Sequence, residues 1–205
     1  MSAFLLAALV ASTTAPLQLT VALFDYAKVP PQWLSWARQE MSRIYREVGV
    51  EVTWHDASSD ARTNSLDNPQ SDKGTLPRAA LIVLILPESQ ATQESIPQSV
   101  IGYSAGTADE CRRVAYVLYG RMDQFRLEQS PAIYRAKLLA YLMAHEVGHL
   151  LLPVQSHSSS GIMRARWSRA DLELAQQGRL RFTADQALSI RSKVSRLAEG
   201  GCVVR

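Results

Sequence analysis

The stretch IYRAKLLAYLMAHEVGHLLLPVQSHSSSGIM (133–163) holds three of the chain's four histidines. Its first two thirds reads as one long helix. Pro131 suits a first helical turn, with Ser130 as an N-cap before it. Beyond Lys137 the run is apolar almost all round, which predicts a helix at the centre of a domain. Pro153 ends it, because a proline ring cannot continue the backbone ladder. In so apolar a helix, the polar trio His145, Glu146 and His149 is costly to bury unless it is paired or bound to metal.

The trio has a mechanical logic. His145-Glu146-Val147-Gly148-His149 is an HExxH sequence. Positions i and i+4 share a helix face, so both imidazoles can reach one ion from a rigid support. Glu146 then points beside the ion and is free to take a proton from a metal-activated water. Catalytic zinc needs a third protein ligand and one open position. His157 is the candidate, because the chain can turn back towards the metal after Pro153. Three imidazoles suit zinc more than magnesium or calcium. Glu173, on the next helical segment, is the rival third ligand; the small polar residues after His157 favour the histidine.

Outward from this stretch, the elements alternate. Residues 17–26 are rich in β-branched and aromatic types and read as a strand. Trp33, Trp36, Ala37, Met41, Ile44, Tyr45 and Val48 recur at helical spacing, with Gly49 as a stop and both tryptophans expected in the core. Residues 50–54 alternate as a short strand, and 56–78 read as a long surface loop. AALIVLIL (79–86) is a continuous apolar run, the mark of a strand buried on both faces. A polar connector with Pro87 and Pro97 leads to a strand pair at 100–106 and 112–119. Two further helices follow, near 169–177 and 184–197, the last capped by Thr183. Strands joined through helices imply an α/β sheet with helices packed against it.

Length and composition bound the rest. The 205 residues suffice for one sizeable domain, expected over 16–205. The net charge is only +3, and the arginines of 164–196 are interleaved with Asp171, Glu173 and Asp185. That pattern reads as a solvated helical face, and no nucleic-acid partner is expected. Residues 1–15 resemble a signal peptide, with an apolar run at 4–11 and a cleavage-like Thr13-Thr14-Ala15. Export, periplasmic or extracellular, is the expectation, although no Lys or Arg precedes the run and Pro16 would follow the cut. The alternative is a first buried strand or a helical extension, in which case a cytoplasmic protein is expected. No run is long enough for a membrane-spanning helix. Cys111 and Cys202 permit one disulfide without specifying it. A monomer is expected.

These motifs resemble those of the metzincin-type zinc metallopeptidases. That family carries HExxHxxGxxH followed by a methionine turn beneath the metal. The resemblance assigns His145, His149 and His157 to zinc, Glu146 to the role of general base, and Met163 to the turn. It implies an α/β fold with a mixed, mostly parallel twisted sheet, a central active-site helix and an antiparallel edge strand along the cleft. Residues 100–105 are the candidate edge strand. Gly102 and Gly106 there suit close backbone approach, Tyr103 could line the cleft, and Ile162 and Arg164 could shape the pocket. The implied activity is that of a zinc-dependent endopeptidase acting on peptides or proteins. The alternatives are a catalytically silent zinc-binding interaction domain and a zinc hydrolase of another substrate. This chain departs from the family pattern in one segment. Leu152 stands where the family glycine falls, Gln155 where its third histidine falls, and His157 comes two residues later. The interval from His157 to Met163 is also shorter than in matrix metallopeptidases.

Overall fold

The computed structural model describes residues 16–56, 80–105, 113–125 and 132–199. The expected signal peptide, the loop expected at 56–78 apart from Asp56, which ends a strand, Gly106, Ser130, Pro131, Cys111 and Cys202 all lie outside these residues.

Five strands form one mixed sheet in the order β2-β1-β3-β5-β4. β1 (Leu17–Asp25) pairs in parallel with both β2 (Val50–Asp56) and β3 (Leu81–Leu86), and β3 pairs in parallel with β5 (Val114–Leu118). β4 (Gly102–Ala105) runs antiparallel to β5 at the sheet margin. The mixed, mostly parallel sheet with one antiparallel edge is the arrangement that the resemblance implies. β3 is apolar throughout because it sits inside the sheet and is covered on both faces.

Alternate residues of these strands face α1 (Pro31–Glu47) and α3 (Ala132–Leu151), whose buried side chains join Val21, Leu23, Val83, Ile85, Ala115 and Val117 in one core. Burial is unbroken from 138 to 148 along α3, so this helix lies at the centre, as its all-round apolarity requires. α1 turns Ala37, Met41, Ile44 and Tyr45 inward and ends at Glu47, two residues before Gly49, which takes a φ of +81° in the turn that follows. Its two tryptophans divide. Trp33 packs at the core margin, whereas Trp36 is 40% exposed and corrects the expectation that both are core. Trp36 falls outside the inward stripe that Ala37, Met41 and Ile44 define.

The connector after β3 contains a helix that its polarity conceals, α2 (Glu88–Gln93). Six residues are too few to show a period. Ala91 alone is buried, against Leu84, Leu86 and Leu118 on the second face of the sheet. A 3-10 helix (Tyr119–Phe125) follows β5. From it, buried Arg121 donates to the carboxylate of Glu88 and to the carbonyls of Ile96 at 3.1 Å and Val100 at 2.7 Å. That side chain pins the segment entering β4 and so fixes the edge strand. α4 (Arg169–Gln176) and α5 (Ala184–Ala198) both start in reciprocal capping boxes, Ser168 with Asp171 and Thr183 with Gln186. No helix among the described residues is long and apolar enough to cross a membrane.

Candidate metal centre

His145 and His149 project from one face of α3 near its C-terminal end, as the i, i+4 spacing requires. α3 ends at Leu151, two residues before Pro153. The chain then reverses through Gln155, whose φ is +64°, a left-handed conformation uncommon for a residue with a Cβ. This turn returns His157 to the helix. One nitrogen from each of His145, His149 and His157 lies within 4.8 Å of the others. His145 is buried, His149 half-buried and His157 exposed. Among the described residues no other set of three His, Cys, Asp or Glu converges in this way. Glu173, the rival ligand, is exposed on α4 and accepts a hydrogen bond from Arg169 at 3.2 Å.

The rings are held from behind. Nδ1 of His145 lies 2.7 Å from the carbonyl oxygen of Ile162 and, as the donor, leaves its Nε2 as a lone pair. Nδ1 of His149 lies 3.0 Å from Oγ of Ser156. The two Nε2 atoms then face each other at 3.1 Å. Burial pushes both imidazoles down to about 4, so at neutral pH they are uncharged donors. Facing lone pairs at that distance fit a shared cation, and an all-imidazole set fits zinc.

Glu146 is buried beside the pair, and desolvation pushes its carboxyl up to about 8. A carboxyl so shifted can exchange protons near neutral pH. Its space comes from the edge strand. A Cβ on Gly102 would lie 2.6 Å from Oε1 of Glu146 and 2.8 Å from its Cγ. Gly102 is thus where β4 meets the helix, and the missing side chain is what admits the carboxyl. Tyr103, the next residue, points to the other side of the sheet. There its ring stacks on Tyr116 with centroids 4.3 Å apart, and its hydroxyl donates to Glu94. The structure does not bring Tyr103 to the histidines.

Met163 lies beneath the helix, fully buried. A Cβ on Gly148 would come within 2.5 Å of its sulfur, so the glycine inside HExxH makes room for that methionine. The backbone of the turn is tied at several points. Ser158 N–H donates to the Met163 carbonyl at 2.9 Å, and Ile162 N–H donates to the Arg181 carbonyl at 2.9 Å. Ile162 is buried and serves through its carbonyl, which also accepts from Nε1 of Trp167 at 3.0 Å. Arg164 pairs with Asp171 at 2.9 Å. Ser156 and Trp167 are supports that sequence reasoning missed. Ser156 sits one residue before His157 and was readable only as a turn residue, and nothing in the sequence joins Trp167 to His145. A groove of about 900 Å³ lies elsewhere, beside α1, and contains none of the three histidines.

The fold has a solved counterpart. The structure of archaemetzincin from Methanopyrus kandleri superposes with a TM-score of 0.51 at 18% identity, covering 91% of this chain and 99% of that one. The likeness is one of fold. Metalloproteinase-II from Bacteroides fragilis aligns with a TM-score of 0.48 at 13% identity, over 88% of this chain and 54% of that one. No family model matches the sequence, and no curated protein matches it.

Proposed function

We propose that this chain is a zinc-dependent endopeptidase that holds its ion on His145, His149 and His157 and uses Glu146 as general base. One observation carries the reading: three histidine nitrogens converge within 4.8 Å, with a buried carboxyl on the same helix turn. The likeness in fold to an archaemetzincin adds support. Zinc, when bound, supplies a Lewis acid that polarises a carbonyl and lowers the pKa of water. The protein's own groups do the rest. The Ile162 carbonyl and Ser156 orient the two helical imidazoles. Glu146 takes a proton from water and passes it to the leaving amine. β4, at the margin of the sheet, offers main-chain groups to an extended peptide.

Zinc stoichiometry combined with cleavage of a mixed peptide library tests this. Wild type and Glu146→Gln should each bind one equivalent of zinc, and only the wild type should cut. Undiminished hydrolysis by Glu146→Gln refutes the general base. Zinc without any cleavage points instead to a binding domain, and a folded protein that takes up no metal sinks the proposal. His157→Ala should lower zinc affinity by tenfold or more, as a rough expectation for a lost ligand, while Glu173→Ala should not; the opposite pattern would exchange the third ligand. We also propose that residues 1–15 direct export, which N-terminal sequencing of the mature protein checks.

A further inference from the structure

His145 and His149 stand on a helix, but His157 stands on a loop, so its place depends on what holds the loop backbone. This loop is also the part of the site that departs from the metzincin pattern. The segment leading into α5 grips it and the neighbouring helix. The Arg181 carbonyl accepts from Ile162 N–H at 2.9 Å. Phe182 is buried against α3, where a Cβ on Gly148 would meet its ring at 3.3 Å. A further tie comes from Gln186, in the first turn of α5.

Gln186 is buried and uses both ends of its amide. Its oxygen accepts from Thr183 N–H at 3.0 Å, which completes the capping box. Its Nε2 donates to Oγ of Ser158, the residue after His157, at 3.1 Å. Oγ of Ser158 in turn donates to the Ser160 carbonyl at 2.7 Å, and Ser158 N–H donates to the Met163 carbonyl at 2.9 Å. A hydroxyl has one proton, and here Ser160 takes it. The tie to α5 therefore needs a donor on the α5 side. The cap does not: Glu serves a capping box as well as Gln, and its charge suits a helix N-terminus better. The amide N–H of Gln186 is thus explained by Ser158 and not by the helix.

We propose that Gln186 is a positioning residue for the metal site, holding His157 in ligand position through Ser158. The inference rests on the reading of His157 as third ligand and is independent of peptide cleavage. Its physical basis is preorganisation. A ligand on a loop must be ordered when the ion binds, and a loop already tied at Ser158 has less freedom left to lose.

The test compares substitutions in the full chain, metal-free and titrated with zinc. Gln186→Glu keeps the cap and removes the donor. Thr183→Ala breaks the cap and keeps the donor. Ser158→Ala cuts the same tie from the loop side without adding charge. Metal-free Gln186→Glu should melt within about 2 °C of wild type, whereas Thr183→Ala should melt about 2–4 °C lower. Zinc affinity, read by competition with a chromophoric chelator, should show the reverse order. It should fall about tenfold in Gln186→Glu and in Ser158→Ala, the cost of a lost partner behind a ligand, and stay within about twofold of wild type in Thr183→Ala. Combining Gln186→Glu with Ser158→Ala should lose no more than either alone, because both cut one tie. Should Gln186→Glu fail to fold, Ser158→Ala decides by the same zinc readout. Unchanged affinity in the variants that cut the tie, or an equal loss in Thr183→Ala, overturns the inference and leaves the zinc site standing. A folded wild type that takes up no zinc overturns both.

Discussion

At the scale of single residues, Gly102 and Glu146 form one unit. The carboxyl occupies the volume that a side chain on the edge strand would fill. Gly102→Ala therefore pushes Glu146 away from its place beside the histidines. Turnover should fall by about 10²-fold, the cost of a misplacement near 1 Å, while zinc stoichiometry stays at the wild-type value. Activity within twofold of wild type would show that the carboxyl has slack. Glu146 and the two helical histidines were legible in the sequence because their relation is local: a helix repeats, and four residues return to the same face. The role of Gly102 was legible only as close backbone approach. Which group approaches it depends on where α3 crosses β4, and no local pattern encodes that.

At the scale of elements, the turn from His157 to Arg164 decides whether the third histidine arrives. Gly161 takes a φ of +77°, and a Cβ there would lie 2.4 Å from the Arg181 carbonyl oxygen. Gly161→Ala meets both a conformational penalty and a backbone clash. It should cost roughly 2–4 kcal/mol and weaken zinc binding, read by thermal melts and metal titration. α4 braces the same turn through Asp171, which caps its own helix and pairs with Arg164. Burial raises the Asp171 carboxyl, but hydrogen bonds from Ser168 and the Arg164 charge outweigh it and hold the group below its ordinary 3.8. With the folded value depressed, the stabilisation is present above pH 3.8 and lost as pH falls through the folded value. Asp171→Ala should thus cost about 1–2 kcal/mol at pH 7. The gap from wild type should close under strong acid, as pH-dependent denaturation would record. Both caps were accessible to sequence reasoning, since a capping box is a four-residue pattern, although only Thr183 was named. α2 was not accessible, because one buried alanine in six residues carries no periodic signal.

At the scale of the whole molecule, the site joins parts that fold from distant segments. The helix supplies two histidines and the carboxyl, the following loop the third histidine, and the edge strand the space for Glu146. An ion bound by the assembled site and not by the unfolded chain stabilises the fold by mass action. Chelation should therefore lower the melting temperature, and added zinc should restore it. At one hundred times Kd the difference is about 2.7 kcal/mol. A melting temperature indifferent to chelator would mean that the ion is not held by the folded structure.

The sequence by itself determined the central helix, the buried strands and the HExxH unit, because each rests on a periodicity confined to neighbouring residues. It also named His157 as a candidate, but its unusual spacing left Glu173 in contention. Tertiary structure alone decided that the chain after Pro153 turns back through a left-handed Gln155 and that the Ile162 carbonyl, backed by Trp167, holds His145. These are contacts between segments. They are set by how α3 packs on the sheet and where the turn closes, and no spacing along the chain measures either.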